Sequence, residues 1–359
     1  MTRRWRLASR ASLGVLVLAI AGLVLSAGCS TIGYYAQSVG GHLALVRAAR
    51  PVPDWLADER TPPALKERLR LAARIRDFAV SDLSEPDNAS YRRYADLQRS
   101  YAIWNVVAAP ELSLTLQTWC FPVVGCVGYR GYYDEAAATA FAATLREQGL
   151  EVSVYGVPAY STLGLLPGET LADPLLNTFV AYPEGELARL IFHELAHQVA
   201  YAKGDTEFNE SFATSVERLG SARWLDGHAD AKAREDSARI EARRHDFREL
   251  TAAYRERFDT LYRSAASDAA KREAKRALLD RLLADYETMK RERWGGFSGY
   301  DGWFAGANNA AFGVLAAYNG LVPNFERLFE RDGRDFPRFY AEVRRLSELP
   351  PAERRSALP

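Results

Sequence analysis

The chain has 359 residues, of which 48% are hydrophobic, 11% aromatic and 26% charged. This composition can fill a hydrophobic core, so it excludes a disordered, collagen-like or low-complexity chain. Lysine plus arginine and aspartate plus glutamate number 46 each, and this balance provides no basic field that would favour nucleic acid as a partner.

The first 28 residues have the layout of a secretory signal peptide, with arginines ahead of an uncharged apolar run over residues 11–27. The segment Leu25–Cys29 resembles a bacterial lipobox, in which the cysteine is lipidated and becomes the first residue of the mature chain. Ser30 stands where lipoproteins of the inner membrane usually carry aspartate. We therefore expect a lipid bilayer as partner through Cys29, at the outer membrane facing the periplasm. A plain signal peptide or an anchor helix is the alternative.

Two further cysteines, Cys120 and Cys126, are separated by five residues that include Pro122 and Gly125. Proline and glycine turn the chain, and the periplasm is oxidising, so this pair predicts a local disulfide. Two reduced, buried thiols are the alternative.

Hydrophobic periodicity divides the rest of the chain into a sheet-rich part and a helical part. Helices are predicted at 31–50, 65–83 and 134–148, and strands at 103–108, 112–119, 126–132 and 152–157. From Pro183 onward the pattern is almost entirely helical, with a charged hairpin over 230–291 that turns at 264–267, a loop at 294–304, and helices at 307–318, 325–330 and 336–346.

The predicted fold class is therefore α+β and predominantly helical. A small mixed sheet occupies about residues 100–182, and a helical region that includes the long hairpin occupies 183–359. We predict that both belong to one domain of residues 29–359. The hairpin has the pattern of a solvated helix pair with one buried seam.

The segment His193-Glu194-Leu195-Ala196-His197 carries the strongest chemical signal. Two histidines four residues apart on a helix project to one side, where both can hold one zinc ion. Glu194 lies beside them, placed to accept a proton from the attacking water. Two ordinary histidines on a packed helix are the alternative.

A catalytic zinc ion usually has a third protein ligand. After a break at Gly204, a second helix is predicted to carry Glu210, Thr214 and Glu217 on one face and to end at Gly220. If this helix runs back along the first, the spacing alone makes Glu210 and Glu217 nearly equivalent as ligands.

The pair Asn209-Glu210, downstream of the HExxH segment, resembles the glutamate zincins, in which the glutamate of an Asn-Glu pair is the third ligand. This resemblance implies one Zn²⁺ per chain, held by His193, His197 and Glu210. Glu217 or Thr214 would then bond a ligand histidine from behind, and Glu217 remains the alternative ligand.

Several stretches along the mature chain also match one bacterial family. They are Gly33–Gly41, Trp119–Cys126, Ala159–Gly164 with Asp173-Pro174, the HELAHQ segment, Asn209–Ala213 and Asn308–Ala310. In these stretches the chain resembles the putative aminopeptidase lipoproteins of the glutamate-zincin type. The resemblance implies a zincin-like helical region and a zinc metallopeptidase that acts on peptides as an aminopeptidase.

Several questions about the site stay open from sequence. The enzyme could instead be a zinc endopeptidase, or the chain could be a non-catalytic envelope lipoprotein with a structural or degenerate metal site that binds a partner. Val154–Leu163 is a candidate edge strand for pairing with an extended peptide. The candidate donors for transition-state stabilisation are Tyr318, Tyr160, Tyr300 and His228, and the candidate acids for the substrate ammonium are Glu184, Asp205 and Glu207.

Overall fold

The computed structural model describes residues 33–121, 125–159 and 171–359, with the side chains of 316–319 excepted. The predicted signal peptide and Cys29 lie outside these ranges. The described residues divide after residue 45 into two compact units. Among the described helices, none has the length and apolarity needed to span a membrane.

The described residues are mostly helical, with small sheets of two or three strands, so the predicted α+β class with helix predominating is confirmed. Residues 33–48 form α1. The other helices are α2 Val52–Ala57, α3 Pro63–Ser81, α4 Glu135–Glu147, α5 Glu184–Ala196, α6 Thr206–His228, α7 Ala231–Arg263, α8 Asp268–Glu292, α9 Asp301–Ala305, α10 Asn309–Asn319, α11 Val322–Arg331, α12 Phe336–Ser347 and α13 Pro351–Ala357. The strands are β1 Arg50–Pro51, β2 Arg93–Ala95, β3 Ile103–Pro110, β4 Trp119–Phe121, β5 Gly125–Val127, β6 Arg130–Tyr132, β7 Leu150–Val157 and β8 Leu175–Leu176.

Strand β3 is the centre of an antiparallel sheet in the order β6-β3-β7, with Val106 opposite Val154. Its residues from Ile103 to Ala109 are buried, because α4 and α10 both pack against the sheet. A second sheet, β1-β2-β8, is mixed: β1 pairs antiparallel and β8 parallel with β2.

The predicted strand at 112–119 is wrong over most of its length, because β4 begins only at Trp119. Leu114 instead joins a core cluster formed mainly by the α7–α8 hairpin, and Leu116 packs against the β3 side of the sheet near Ala310. The alternating apolar residues therefore reach two separate cores from irregular backbone. An alternating pattern of apolar and polar residues indicates which side chains are buried, and it can occur without the hydrogen bonds of a β-strand.

Strands β4 and β5 form a hairpin in which Cys120 and Cys126 are joined by a disulfide. The hairpin lies against the turn between α5 and α6. A Cβ atom on Gly125 would stand 2.8 Å from the backbone nitrogen of Gly204, so only glycine allows this approach.

The predicted helix end at Gly220 is also wrong, because α6 continues to His228. Gly220 is buried in the middle of α6, where an added Cβ would stand 2.6 Å from Leu83 and 3.0 Å from Phe192 of α5. This glycine therefore allows close packing of α6 instead of ending the helix.

The charged stretch forms the predicted helical hairpin, with α7 ending at Arg263 and α8 beginning at Asp268. Asp230 and Ser267 cap the two helices by accepting hydrogen bonds from backbone N–H groups. One face of the helix pair is buried, and its side chains pack against aromatic side chains that follow the hairpin in sequence. This cluster includes Tyr254, Phe258, Leu282, Tyr286, Trp294, Phe304 and Phe312.

Candidate metal centre and adjoining pocket

Helices α5 and α6 pack against each other in an antiparallel register. Their contacts connect residues whose numbers have a nearly constant sum, as antiparallel pairing requires. These contacts are Trp224 Nε1 donating to Glu184, Arg189 donating to Glu217, and the approach of His197 to Glu210. The HExxH segment therefore faces the first three turns of α6.

The turn between the two helices is held by buried polar groups. The side chain of Asn209 accepts a hydrogen bond from the N–H of Ala202 at 2.7 Å and donates to its carbonyl at 2.9 Å. Asp205 caps α6 by accepting from the N–H of Phe208 at 3.1 Å. These bonds fix where α6 begins, and Glu210 follows within its first two turns.

His193, His197 and Glu210 come together as a group whose potential ligand atoms all lie within 4.8 Å of one another. Glu210 Oε2 is 3.4 Å from His193 Nε2 and 3.7 Å from His197 Nε2. Neighbouring ligands of a tetrahedral zinc ion, at bond lengths of 2.0–2.1 Å, stand about 3.4 Å apart. The two imidazoles and one carboxylate therefore fit a zinc ion in both chemistry and spacing, and this group could hold a metal.

Glu217 contacts the other ring nitrogen of His193: its Oε2 lies 2.9 Å from Nδ1. It is therefore placed to orient the ring and not to share the Nε2 side with Glu210. Burial would raise the pKa of Glu217, but Arg189 and His193 outweigh this effect and lower it to about 2. Thr214, the other residue predicted to act from behind, lines the adjoining pocket.

The two histidines differ in charge. Burial lowers the pKa of His197 to about 4, so its ring is neutral at pH 7. Burial acts on His193 in the same direction, but hydrogen bonds and charges from Glu210 and Glu217 outweigh it and raise the pKa well above 6.5. Because a metal needs an unprotonated nitrogen, binding one at His193 must displace a proton.

Glu194 lies beside His193 on the wall of a pocket of about 440 Å³. Burial raises the pKa of this carboxyl to about 7. The pocket extends along α5 from Glu194 to Glu186, a distance of roughly 12 Å along the helix axis. Of the metal group, His193 also lines this pocket, so Glu194 shares the cavity with one of the candidate ligands.

Strand β7 lies at the outer edge of its sheet in the described part of the chain, as the candidate edge strand requires. Its last residue, Val157, lines the pocket together with Pro158 and Ala159. Residues 160–163 of the predicted segment lie outside the described residues.

The two candidate donors for transition-state stabilisation that the structure describes, Tyr300 and His228, lie in different surroundings. Tyr300 lines the pocket and stacks on Phe247, with ring centroids 4.5 Å apart. His228 instead stacks on Trp224 at 4.6 Å, and it does not line the pocket. Tyr160 and the side chain of Tyr318 lie outside the described part of the structure.

None of the three candidate acids for the substrate ammonium lines the pocket. Glu184 accepts a hydrogen bond from Trp224, whereas Asp205 and Glu207 pair with arginines of α13. Asp205 is thus part of the helix-capping structure.

The structure also places near the metal group residues that sequence reasoning missed. The partly buried phenols of Tyr129, Tyr155 and Tyr201 lie within electrostatic range of Glu210, whose charge adds to burial in raising their pKa. Arg189 had a usable signal, because it lies one helical turn before His193. The tyrosines had none, since one comes from strand β7 and the other two from separate connecting segments.

Residues 33–358 match the family model of the putative aminopeptidases. The chain belongs to the putative aminopeptidase family. This membership supports a peptidase, and therefore a hydrolase. No curated protein and no solved structure matches the chain.

Proposed function

We propose that this member of the putative aminopeptidase family is a zinc-dependent aminopeptidase, anchored to the bacterial envelope through Cys29 and facing the periplasm. The observation that carries the proposal is the convergence of His193, His197 and Glu210 on one point, beside the pocket that Glu194 lines. The family match supports peptide substrates. The signal-like leader supports the location.

The side chains divide the work as follows. Bound zinc supplies a Lewis acid that polarises the scissile carbonyl and acidifies water. Glu194 accepts a proton from the attacking water and returns it to the leaving amine. Glu217 holds the His193 ring in orientation through Nδ1, so Nε2 stays directed at the ligand group.

The first experiment measures metal content and hydrolysis on residues 30–359. We expect about one zinc per chain in the wild-type protein and its loss in His193→Ala. His245→Ala removes an exposed histidine of α7 and serves as the matched control that keeps the metal. Peptides and aminoacyl substrates with a free N-terminus should be cleaved.

Two results would overturn parts of the proposal. An absence of zinc after reconstitution, in both the wild-type protein and the variant, would favour a non-catalytic lipoprotein. Zinc binding with cleavage of N-terminally blocked peptides at internal bonds would show an endopeptidase.

A further inference from the structure

Three arginines from two helices line the pocket beyond the metal group: Arg189 of α5 and Arg244 and Arg248 of α7. All three donate to one carboxylate, Glu241, at 2.9, 2.9 and 2.7 Å respectively. Glu241 does not line the pocket. The shared carboxylate therefore holds the guanidinium groups from behind and leaves them on the pocket wall.

The acids on the same wall are already engaged. Glu217 bonds His193 and Arg189. Glu186 pairs with Arg244 through Oε2, and its Oε1 is buried from solvent. These contacts leave little carboxylate surface at this end of the pocket to receive a substrate ammonium.

Arg248 has the most unused hydrogen-bonding capacity of the three arginines. Among the described residues it donates one hydrogen bond, to Glu241, although a guanidinium has five N–H donors. Its side chain is 20% exposed. The surface that this end of the pocket offers to a ligand is therefore a set of fixed guanidinium donors, which suits a carboxylate.

The surroundings strengthen such a contact. Leu190, Phe247 and Tyr300 line the same pocket, and apolar walls make a guanidinium–carboxylate pair stronger than it is in water. The axial distance of roughly 10 Å from His193 to Glu186 corresponds to about three residues of extended peptide. A carboxylate that reaches the arginines would therefore lie within two or three residues of the scissile bond.

We propose that this pocket recognises a carboxylate of the substrate, either the C-terminal carboxylate of a short peptide or an acidic side chain near the scissile bond. The reference to a scissile bond rests on the proposed peptidase function. The recognition site itself rests only on the arginines and their arrangement.

Binding to the Glu194→Gln variant tests the site without turnover. Four probes are titrated by calorimetry at pH 7: trileucine with a free C-terminus, its C-terminal amide, and the amides in which the second leucine is replaced by glutamate or by glutamine. We expect at least one acidic probe to bind about tenfold or more tightly than its neutral counterpart. Preference for the free acid identifies the C-terminus as the source, and preference for glutamate over glutamine identifies a side chain.

The role of Arg248 is tested by adding a second substitution to Glu194→Gln. Arg248→Gln should abolish the preference for the acidic probe, and Arg248→Lys should keep only part of it, because lysine cannot replace a bidentate guanidinium. Arg239→Gln is the matched control: it removes an arginine of the same helix that pairs with Asp236 away from the pocket, and the preference should remain.

The outcomes separate this inference from the proposed function. Equal binding of acidic and neutral probes, or no binding of any probe, overturns the carboxylate site. If the wild-type protein cleaves both the amides and the acids, and the acidic and neutral probes bind with equal affinity, the peptidase stands and the carboxylate site fails. If no peptide is cleaved but the acidic probe is still preferred, the site stands and the peptidase fails.

Discussion

The two ends of the pocket are built in different ways. At the metal end, both histidines and the candidate base come from five consecutive residues at the C-terminal end of α5, with His197 as the C-cap. At the arginine end, Arg189 meets Glu241 across 52 residues of sequence, and the remaining arginines come from the helical hairpin. In the proposed enzyme, the reaction would depend on local helix spacing, and selection of the substrate would depend on how the hairpin packs against α5.

The largest expected effect lies at the metal end. In Glu194→Gln, we expect kcat to fall by about 10²–10⁴-fold, because the amide cannot accept the proton of the attacking water. Zinc content should stay at the wild-type level, since Glu194 is not part of the metal group. Steady-state kinetics with metal analysis by mass spectrometry measures both. Retained turnover in this variant would show that another group is the base.

Metal affinity provides the next test of the same end. Glu217→Gln should weaken zinc binding by about 10–100-fold, because an amide is a poorer partner for His193 Nδ1 than a carboxylate. Competition with a chelator measures the change. Glu207→Gln is the control, since it replaces a partly exposed glutamate on the first turn of the same helix. If Glu217→Gln and Glu207→Gln bind zinc with equal affinity, Glu217 does not contribute to metal binding.

The difference between the two ends also explains what could be predicted from sequence. The spacing of His193 and His197 places them on one helix face, and the Asn209-Glu210 resemblance selected the residue that joins them. Sequence register could not separate Glu210 from Glu217. The structure separates them because they approach different nitrogens of the His193 ring.

The arginine end left no comparable signal. Arg244 and Arg248 lie on a helix that is rich in charged residues. From sequence, any arginine of such a helix is predicted to be exposed to solvent. Gly220 was misread for a related reason, since a glycine near the end of an apolar stripe predicts a stop unless the neighbouring helix is known. Both errors concern contacts between elements that are distant in sequence.

The arginine cluster predicts an acid-sensitive contribution to stability. Burial would raise the pKa of Glu241, but the three guanidinium groups outweigh it and lower the pKa from 4.5 to about 2. A lowered pKa in the folded state stabilises the fold fully above about pH 4.5, and this contribution is lost as the pH falls toward 2. The side chain of Glu241 is 35% exposed, so solvent screening weakens these interactions. We therefore expect Glu241 to contribute about 1–2 kcal/mol to the free energy of unfolding.

Urea unfolding of the wild-type protein and Glu241→Gln at several pH values measures this contribution. The difference in unfolding free energy between the two proteins should be constant from pH 7 to about 5 and should shrink at lower pH. A difference that does not change with pH would mean that Glu241 contributes through packing alone.

The smallest expected effect tests the approach of α6 to α5, on which the metal end depends. Alanine at position 220 gains up to about 1 kcal/mol of helix propensity, but its Cβ would press on Phe192 and Leu83, and such overpacking costs about 1–3 kcal/mol. We therefore expect Gly220→Ala to lower the unfolding free energy by about 1 kcal/mol. Gly227→Ala, on the same helix with open space around it, should raise the unfolding free energy by about 0.5–1 kcal/mol. Urea unfolding measures both variants, and equal stabilisation would show that α5 and α6 pack less closely at this point.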